Sequence, residues 1–252
     1  MIKLFRKIRQ NFLSEGKTAK YLKYAISEIV LVVIGILIAL SINNWNENRK
    51  AAIQEEIVLK SLYDNLKLAK QQSQLLIKEE NDLKHVLIKI LDLGSVPNAS
   101  FVETISDSIF KNAVWDLQSD LPILNTYLNL KNTNQLGLIK SKEVNEKFSA
   151  LDFKYNKLID LLHDRLSVHQ IRIDNILEND INFLPLVKSN VPDIDIAREI
   201  STNYSDILKN RRIRNLLGMK LTFTQDIVDR RLELDLEIQN LLILIDSQLR
   251  NR

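Results

Sequence analysis

Residues 24–45 read YAISEIVLVVIGILIALSINNW, and the reading of this stretch decides the fold. Residues 29–40 carry no polar side chain. As a helix, the stretch is ~31 Å long at ~1.5 Å per residue, which matches a hydrocarbon core of ~30 Å. Tyr21 and Tyr24 at one end and Trp45 at the other suit the headgroup level, where amphipathic rings settle. Two other readings compete. A buried core helix would have no reason to carry rings at both ends and charge on one flank. A cleaved signal peptide finds its small residues at Ala39 and Ser41, but residues 1–28 precede the apolar run, far more than an n-region needs. The stretch therefore reads as a membrane-spanning helix that is kept.

Charge orients the span. Residues 1–23 hold seven bases (Lys3, Arg6, Lys7, Arg9, Lys17, Lys20, Lys23) and the acid Glu15, a net of +6 against +3 for the whole chain, so residues 24–252 carry −3. Basic flanks stay in the cytoplasm, so residues 46–252 are expected outside it, in the periplasm of a cell with the span in its inner membrane. The basic balance of the chain belongs to a short arm beside anionic lipid. Nucleic-acid binding by the large domain is not expected. Within the arm, Ile2, Phe5, Ile8 and Phe12 form one helical face, with Lys3, Arg6, Lys7 and Arg9 on the others, as for a helix lying on the inner leaflet. Inside the span, Glu28, Val32, Gly35 and Ala39 share a stripe. Gly35 and Ala39 make a small-x-x-x-small pattern that allows close helix approach, so a parallel homodimer is expected. The competing reading has Glu28 snorkelling to the basic interface.

The opening segments MIKLFRKIRQNFL and KYLKYAISEIVLVVIGILIALSINNWNENRK resemble an uncharacterised family of single-span membrane proteins of Bacteroidota. The resemblance covers residues 1–50 and is weaker around TYLNLKNTNQLGLIKSKEV, where the family often has Gly in place of Asn134. It implies location and architecture. The family has no assigned activity, so no catalytic residue carries over.

Beyond Trp45 the pattern stays helical. Leu59, Leu62, Leu66, Ala69, Ser73, Leu76, Glu80, Leu83, Leu87 and Ile90 alternate steps of three and four, a heptad seam with polar positions at Ser73 and Glu80. A helix over residues 46–91 would be ~68 Å long. A turn follows at residues 94–99, with Pro97, and Ser100 and Glu103 form a capping box for the next helix, broken by Pro122 after Asp120. Ser141 caps a helix expected to reach Phe183, with a seam of Val144, Phe148, Leu151, Tyr155, Leu158 and Leu162 drifting toward Leu166, Ile173 and Leu177. Residues 184–203, with Pro185 and Pro192, read as irregular. A last helix is expected from Ile207, with Leu217, Leu221, Ile227, Leu234, Ile238, Leu241 and Ile245 on its core face. No strand pattern appears. The prediction is an all-α protein: an arm (1–23), a transmembrane helix (24–45), then an elongated up-down-up-down bundle (46–252).

Chemistry is sparse. The chain has no Cys, which excludes thiolate chemistry, and it has no phosphate loop, zinc motif or nucleophile elbow. Asp82 with His85 and Asp160 with His163 mimic the acid-x-x-His pairs of di-metal bundles, but all four fall off the buried seams, where ligands would have to point. His169, near the drifting seam, reads as a packed histidine. No cofactor or metal is expected. Lys209, Arg211, Arg212 and Arg214 form a basic cluster at the start of the last helix, expected at the far tip of the bundle against an acidic partner or anionic envelope polymer, or else simply solvated. The function expected is a non-enzymatic membrane-anchored scaffold that binds an envelope protein. A sensor signalling through the span is the first alternative and a metal-dependent enzyme the second.

Overall fold

The computed structural model describes residues 18–94 and 105–251. Among them every regular element is helical. Helix α1 runs Thr18–Ile90 without a break. Contacts divide the chain into two units, Met1–Ile57 and Val58–Arg252.

In the first unit, the side chains along residues 29–50 are exposed, Leu31 as much as 71%. A core helix would hide them, so the buried-helix reading fails here. This is the one helix among the described residues long and apolar enough to cross a membrane. Ser41 returns its hydroxyl to the Leu37 carbonyl at 2.8 Å, which leaves no unmet donor on this apolar surface. The arm residues Lys3, Arg6, Lys7 and Arg9 lie outside the described residues, as does the Ser100/Glu103 capping box.

In the second unit, all ten expected seam positions of α1 from Leu59 to Ile90 are buried. Helix α2 is Asp107–Val114, opened by Ser106, whose Oγ accepts from the Ile109 N–H. It was expected to reach Asp120 but stops six residues short. The Val114 carbonyl, which would have continued the helix, instead accepts from Lys220 Nζ at 3.1 Å, and Pro122 bars a restart before it. Helix α3 is Asn125–Asn132. It sits against α1 through Asn65, whose Nδ2 donates to the Ile123 carbonyl at 3.2 Å and whose Oδ1 accepts from the Thr126 N–H at 3.3 Å.

Helix α4 is Lys142–Val168, capped by Ser141 as expected. A π-helical turn His169–Ile173 follows, then α5, Asp174–Asn179. The π-turn explains the drifting seam: it inserts one residue, so buried positions step from Arg165 to His169 to Ile173. Two details differ from expectation. The helical run ends at Asn179, short of Phe183, and Arg165 takes the buried place that Leu166 was expected to approach. Residues 184–203 are irregular apart from α6, Leu184–Val187. They are pinned by Asn182, which donates to Glu199 Oε2 at 2.8 Å and to the Ile200 carbonyl at 3.0 Å. A separate turn of helix, α7, is Tyr204–Ile207. The last helix, α8, is Arg211–Arg250. It starts later than expected because Asn210 caps it, accepting from the Arg212 N–H at 2.9 Å.

Helices α4 and α8 run antiparallel. Ser141 accepts from Gln248 at 2.6 Å, and Lys154 reaches Glu237 at 3.3 Å. The interior holds two apolar clusters. One joins Leu59, Leu62 and Leu66 to Phe148, Leu158, Leu234 and Leu241. The other joins Leu87 and Ile90 to Phe110, Ile173, Ile213 and Leu217. A buried leucine contributes on the order of 2 kcal/mol, so these clusters hold the helices together.

Two helix ends share one device. Asp92 (φ 53°) and Asn134 (φ 55°) are left-handed. After each, the chain turns back: Leu93 N–H to the Ile88 carbonyl and Asp92 N–H to that of Lys89, then Gln135 N–H to Leu130 and Asn134 N–H to Lys131. Both are paired closing bonds that favour glycine at the left-handed residue. Asn134→Gly is expected to stabilise the bundle by roughly 0.5–1 kcal/mol, measured as a higher urea midpoint. An unchanged or lower midpoint would mean that Asn134 gains something that glycine lacks.

Candidate functional site

A polar layer lies between the two apolar clusters. It is built from seam positions, so each side chain points inward because its helix does. Glu80 comes from α1, Arg165 from α4, His169 from the π-turn, and Lys220, Thr224 and Arg231 from α8. Glu80 and Lys220 are 0% exposed and Arg165 and Arg231 2%. Arg165 grips Glu80 with two nitrogens, Nη1 to Oε1 and Nη2 to Oε2, the second at 3.3 Å. Arg231 Nε stands 3.6 Å from Glu80 Oε2, an ion pair too long for a hydrogen bond.

The remaining partners of the cations are main-chain carbonyls. Lys220 Nζ donates to Val114 at 3.1 Å and Asp116 at 2.8 Å. Arg165 Nη2 donates to Gln118. Arg231 Nη1 donates to Asp120 at 3.0 Å. These carbonyls belong to every second residue from 114 to 120, the period of an extended chain. The segment between α2 and α3, residues 115–124, is thus a strap laid across the layer and held by its backbone. Its outward side chains, among them Trp115, Asp116, Ser119 and Asp120, are exposed. An open groove of about 410 Å³ runs beside it, floored by Leu83, Val86 and Leu117 and edged by Glu79 and Asp82.

The electrostatics of the layer are uneven. Two guanidiniums and an amine face the carboxylate of Glu80, with Asp116, Asp120 and Asp174 nearby. Arg165 Nε, Arg231 Nε and Nη2, and His169 Nδ1 are buried without a hydrogen-bond partner. Burial, reinforced by Arg165, pushes the Lys220 amine down to about 7, although Asp116, Glu80 and Asp174 oppose the shift. Burial is also the first cause for His169, lowered to about 4 with help from Lys220 and Arg165. Its Nε2 lies 3.2 Å from Asp174 Oδ1. The arrangement can hold negative or carbonyl oxygens.

The expected site residues fall elsewhere. Arg212 pairs with Asp180 and donates to Asn175 at 3.2 Å. Arg214 Nη2 donates to the Leu91 carbonyl at 2.8 Å, closing the end of α1. Lys209 pairs with Asp206 at 2.8 Å and is exposed, and Arg211 is exposed. The basic cluster is therefore divided: Arg214 packs half-buried against the end of α1, Arg212 is exposed but ion-paired, and Arg211 is exposed. Replacing Arg211, Arg212 and Arg214 together would disturb packing as well as any outside contact. Asp82, His85, Asp160 and His163 are exposed, and no group of three or more metal-binding side chains occurs among the described residues. In the span, Glu28 is half-buried, Ala39 is exposed, and a Cβ added at Gly35 would meet nothing within 4 Å.

Glu80 and His169 had drawn notice in the sequence, as a polar seam position and a packed histidine. Arg165, Lys220 and Arg231 had not. The signal was available: Leu217, Lys220, Thr224, Ile227, Arg231, Leu234, Ile238 and Leu241 step by three and four without a gap. Choosing apolar residues alone put Leu221 on the core face, where it is half-buried beside the fully buried Lys220.

Fold and layer together define an all-helical protein with one candidate membrane span and a charged interior. Residues 28–113, from the span through most of α2, match a family of unknown function, DUF6090. Glu80 lies inside the matched stretch, and Arg165, Lys220 and Arg231 lie outside it. No curated protein and no solved structure matches the chain.

Proposed function

We propose that this chain is a single-span membrane protein whose helical bundle stands outside the cytoplasm and works by binding a partner in the envelope. The observation that supports this most is the exposed apolar surface of α1. A helix of bilayer length with exposed apolar side chains all along it belongs in lipid. It leads in the same unbroken helix to a seam that is buried throughout. The seven-to-one excess of bases over acids in residues 1–23 orients it with the N-terminus inside. On this reading the bundle is a scaffold without catalysis, whose interior charges serve to hold helices and strap together. The ligand-sensing alternative draws on the strap, an extended segment with exposed side chains lying over unpaired donors.

Fusions at the C-terminus test the orientation. Alkaline phosphatase should be active and a green fluorescent fusion dark; the opposite pair would overturn it. Cross-linking in native membranes from Arg211 and from Trp115, both exposed, should trap a discrete envelope protein. A chain that cross-links only to lipid from both positions would remove the partner-binding reading.

A further inference from the structure

We infer that the layer of Arg165, Lys220 and Arg231 is a binding site for an acidic, extended peptide segment of a partner protein, and that residues 115–124 occupy it as an internal substitute. This rests on the partner-binding reading above and supplies the chemistry of the partner.

Three observations carry it. First, the strap is held as a ligand would be. Three cations from two helices donate to three of its carbonyls, at Asp116, Gln118 and Asp120, and to that of Val114 at the end of α2. No side chain of residues 115–121 is fully buried. Main-chain recognition of this kind tolerates varied side chains at Trp115, Leu117 and Ser119, while Pro122 and Leu124, which are buried, anchor the end of the segment. Second, the site offers more than the strap uses. Arg165 Nε and Arg231 Nη2 have no hydrogen-bond partner and Arg231 Nε has only its 3.6 Å ion pair with Glu80, although both side chains are 2% exposed. Buried donors of charged groups ordinarily find acceptors. Third, the charge is complementary to an acid. Glu80 inside the layer and Asp174 at its edge are the acids that stay to oppose the two guanidiniums and the Lys220 amine, and Asp116 and Asp120 travel with the strap. Lifting the strap removes both carboxylates and leaves a cationic cleft. Glu79 and Asp82 oppose an acidic guest at the α1 edge, so the contacts that hold it are those of α4 and α8.

The probe is the peptide WDLQSDLPIL, residues 115–124, added in trans to the full chain in lipid nanodiscs. Wild-type protein should bind it weakly, because its own strap competes. Asp116→Lys with Asp120→Lys in the full chain sets the strap against Lys220, Arg165 and Arg231. It should raise affinity for the added peptide by at least about tenfold, as the competent state becomes populated. A peptide with Asn at both acidic positions should bind at least about tenfold more weakly. In the wild-type protein, saturating peptide should speed amide exchange across 115–121. That arm decides alone if the double variant does not fold. Absence of accelerated exchange at saturation overturns the proposal, as does equal affinity for the Asn peptide or for a scrambled one. Inorganic phosphate that reproduces the exchange change would assign the cleft to small anions and overturn the peptide. None of these failures touches the cross-linking result, so the broader reading stands or falls separately.

Discussion

Glu80→Gln should destabilise the bundle by about 3–5 kcal/mol, the cost of leaving buried charge without its counter-charge. Shape is preserved in this substitution and only charge is lost. Arg165 would keep its strap carbonyl, and Arg231 its bond to Asp120, but neither would face a carboxylate within the layer. The loss should appear as a lower urea midpoint for the full chain in detergent, followed by circular dichroism. The companion variant Glu80→Leu, Arg165→Met, Arg231→Met should recover most of the loss. Replacing a whole buried ion group by apolar side chains is commonly neutral or stabilising. A loss below about 1 kcal/mol for Glu80→Gln would mean that water reaches the layer and screens it.

The second large effect is on acid stability. His169 is lowered to about 4 against an ordinary 6.5, burial being the main cause and Lys220 and Arg165 the next. The unfolded chain therefore takes up the proton first as pH falls. Stability held above pH 6.5 drains away through the window down to about pH 4, where the folded form also protonates. The contribution over that window is about 3 kcal/mol at ~1.4 kcal/mol per pH unit. Carboxylates titrate in the same range, so the comparison that isolates the imidazole is with His169→Gln. The variant should show a shallower fall of the urea midpoint between pH 6.5 and 4. Parallel curves for the two proteins would show that His169 does not carry the effect. Lys220, lowered to about 7, acts in a different window: its burial weighs fully on the fold below pH 7 and is relieved as pH rises toward 10.5.

The parts of this fold that were legible in the sequence are those written in a repeat. The α1 seam could be read position by position because burial there follows a period of 3.5, and polar residues at Ser73 and Glu80 were kept in the count. The cap at Ser141 was legible because capping is local. The strap was not. Nothing between Val114 and Pro122 forbids helix by propensity, and what unwinds it is Lys220, about a hundred residues further along, taking two of its carbonyls. The site was hidden for a related reason. Lys and Arg ordinarily mark a solvated face, and their burial at 220, 165 and 231 becomes reasonable only when acceptors from another segment are in place. The basic run at 209–214 is spread out by the fold. A helix turns 100° per residue, and that rotation sends Arg214 to the end of α1 while leaving Arg211 and Arg212 exposed.

The hold on the strap through its backbone has a consequence for how the chain can drift. A carbonyl is present whatever the side chain, so Trp115, Leu117 and Ser119 can change without loosening the grip, whereas Asp116 and Asp120 also answer the cations beneath. The four charged side chains beneath have no such freedom. Losing Arg165 or Arg231 alone strands a carbonyl or a carboxylate, and losing Glu80 alone strands two guanidiniums. Among descendants of this sequence, Glu80, Arg165 and Arg231 should therefore be inherited as a block or exchanged together for apolar residues, with Lys220 following the course of the strap. Intermediate combinations should be rare and found only where a second substitution restores the count of buried charge.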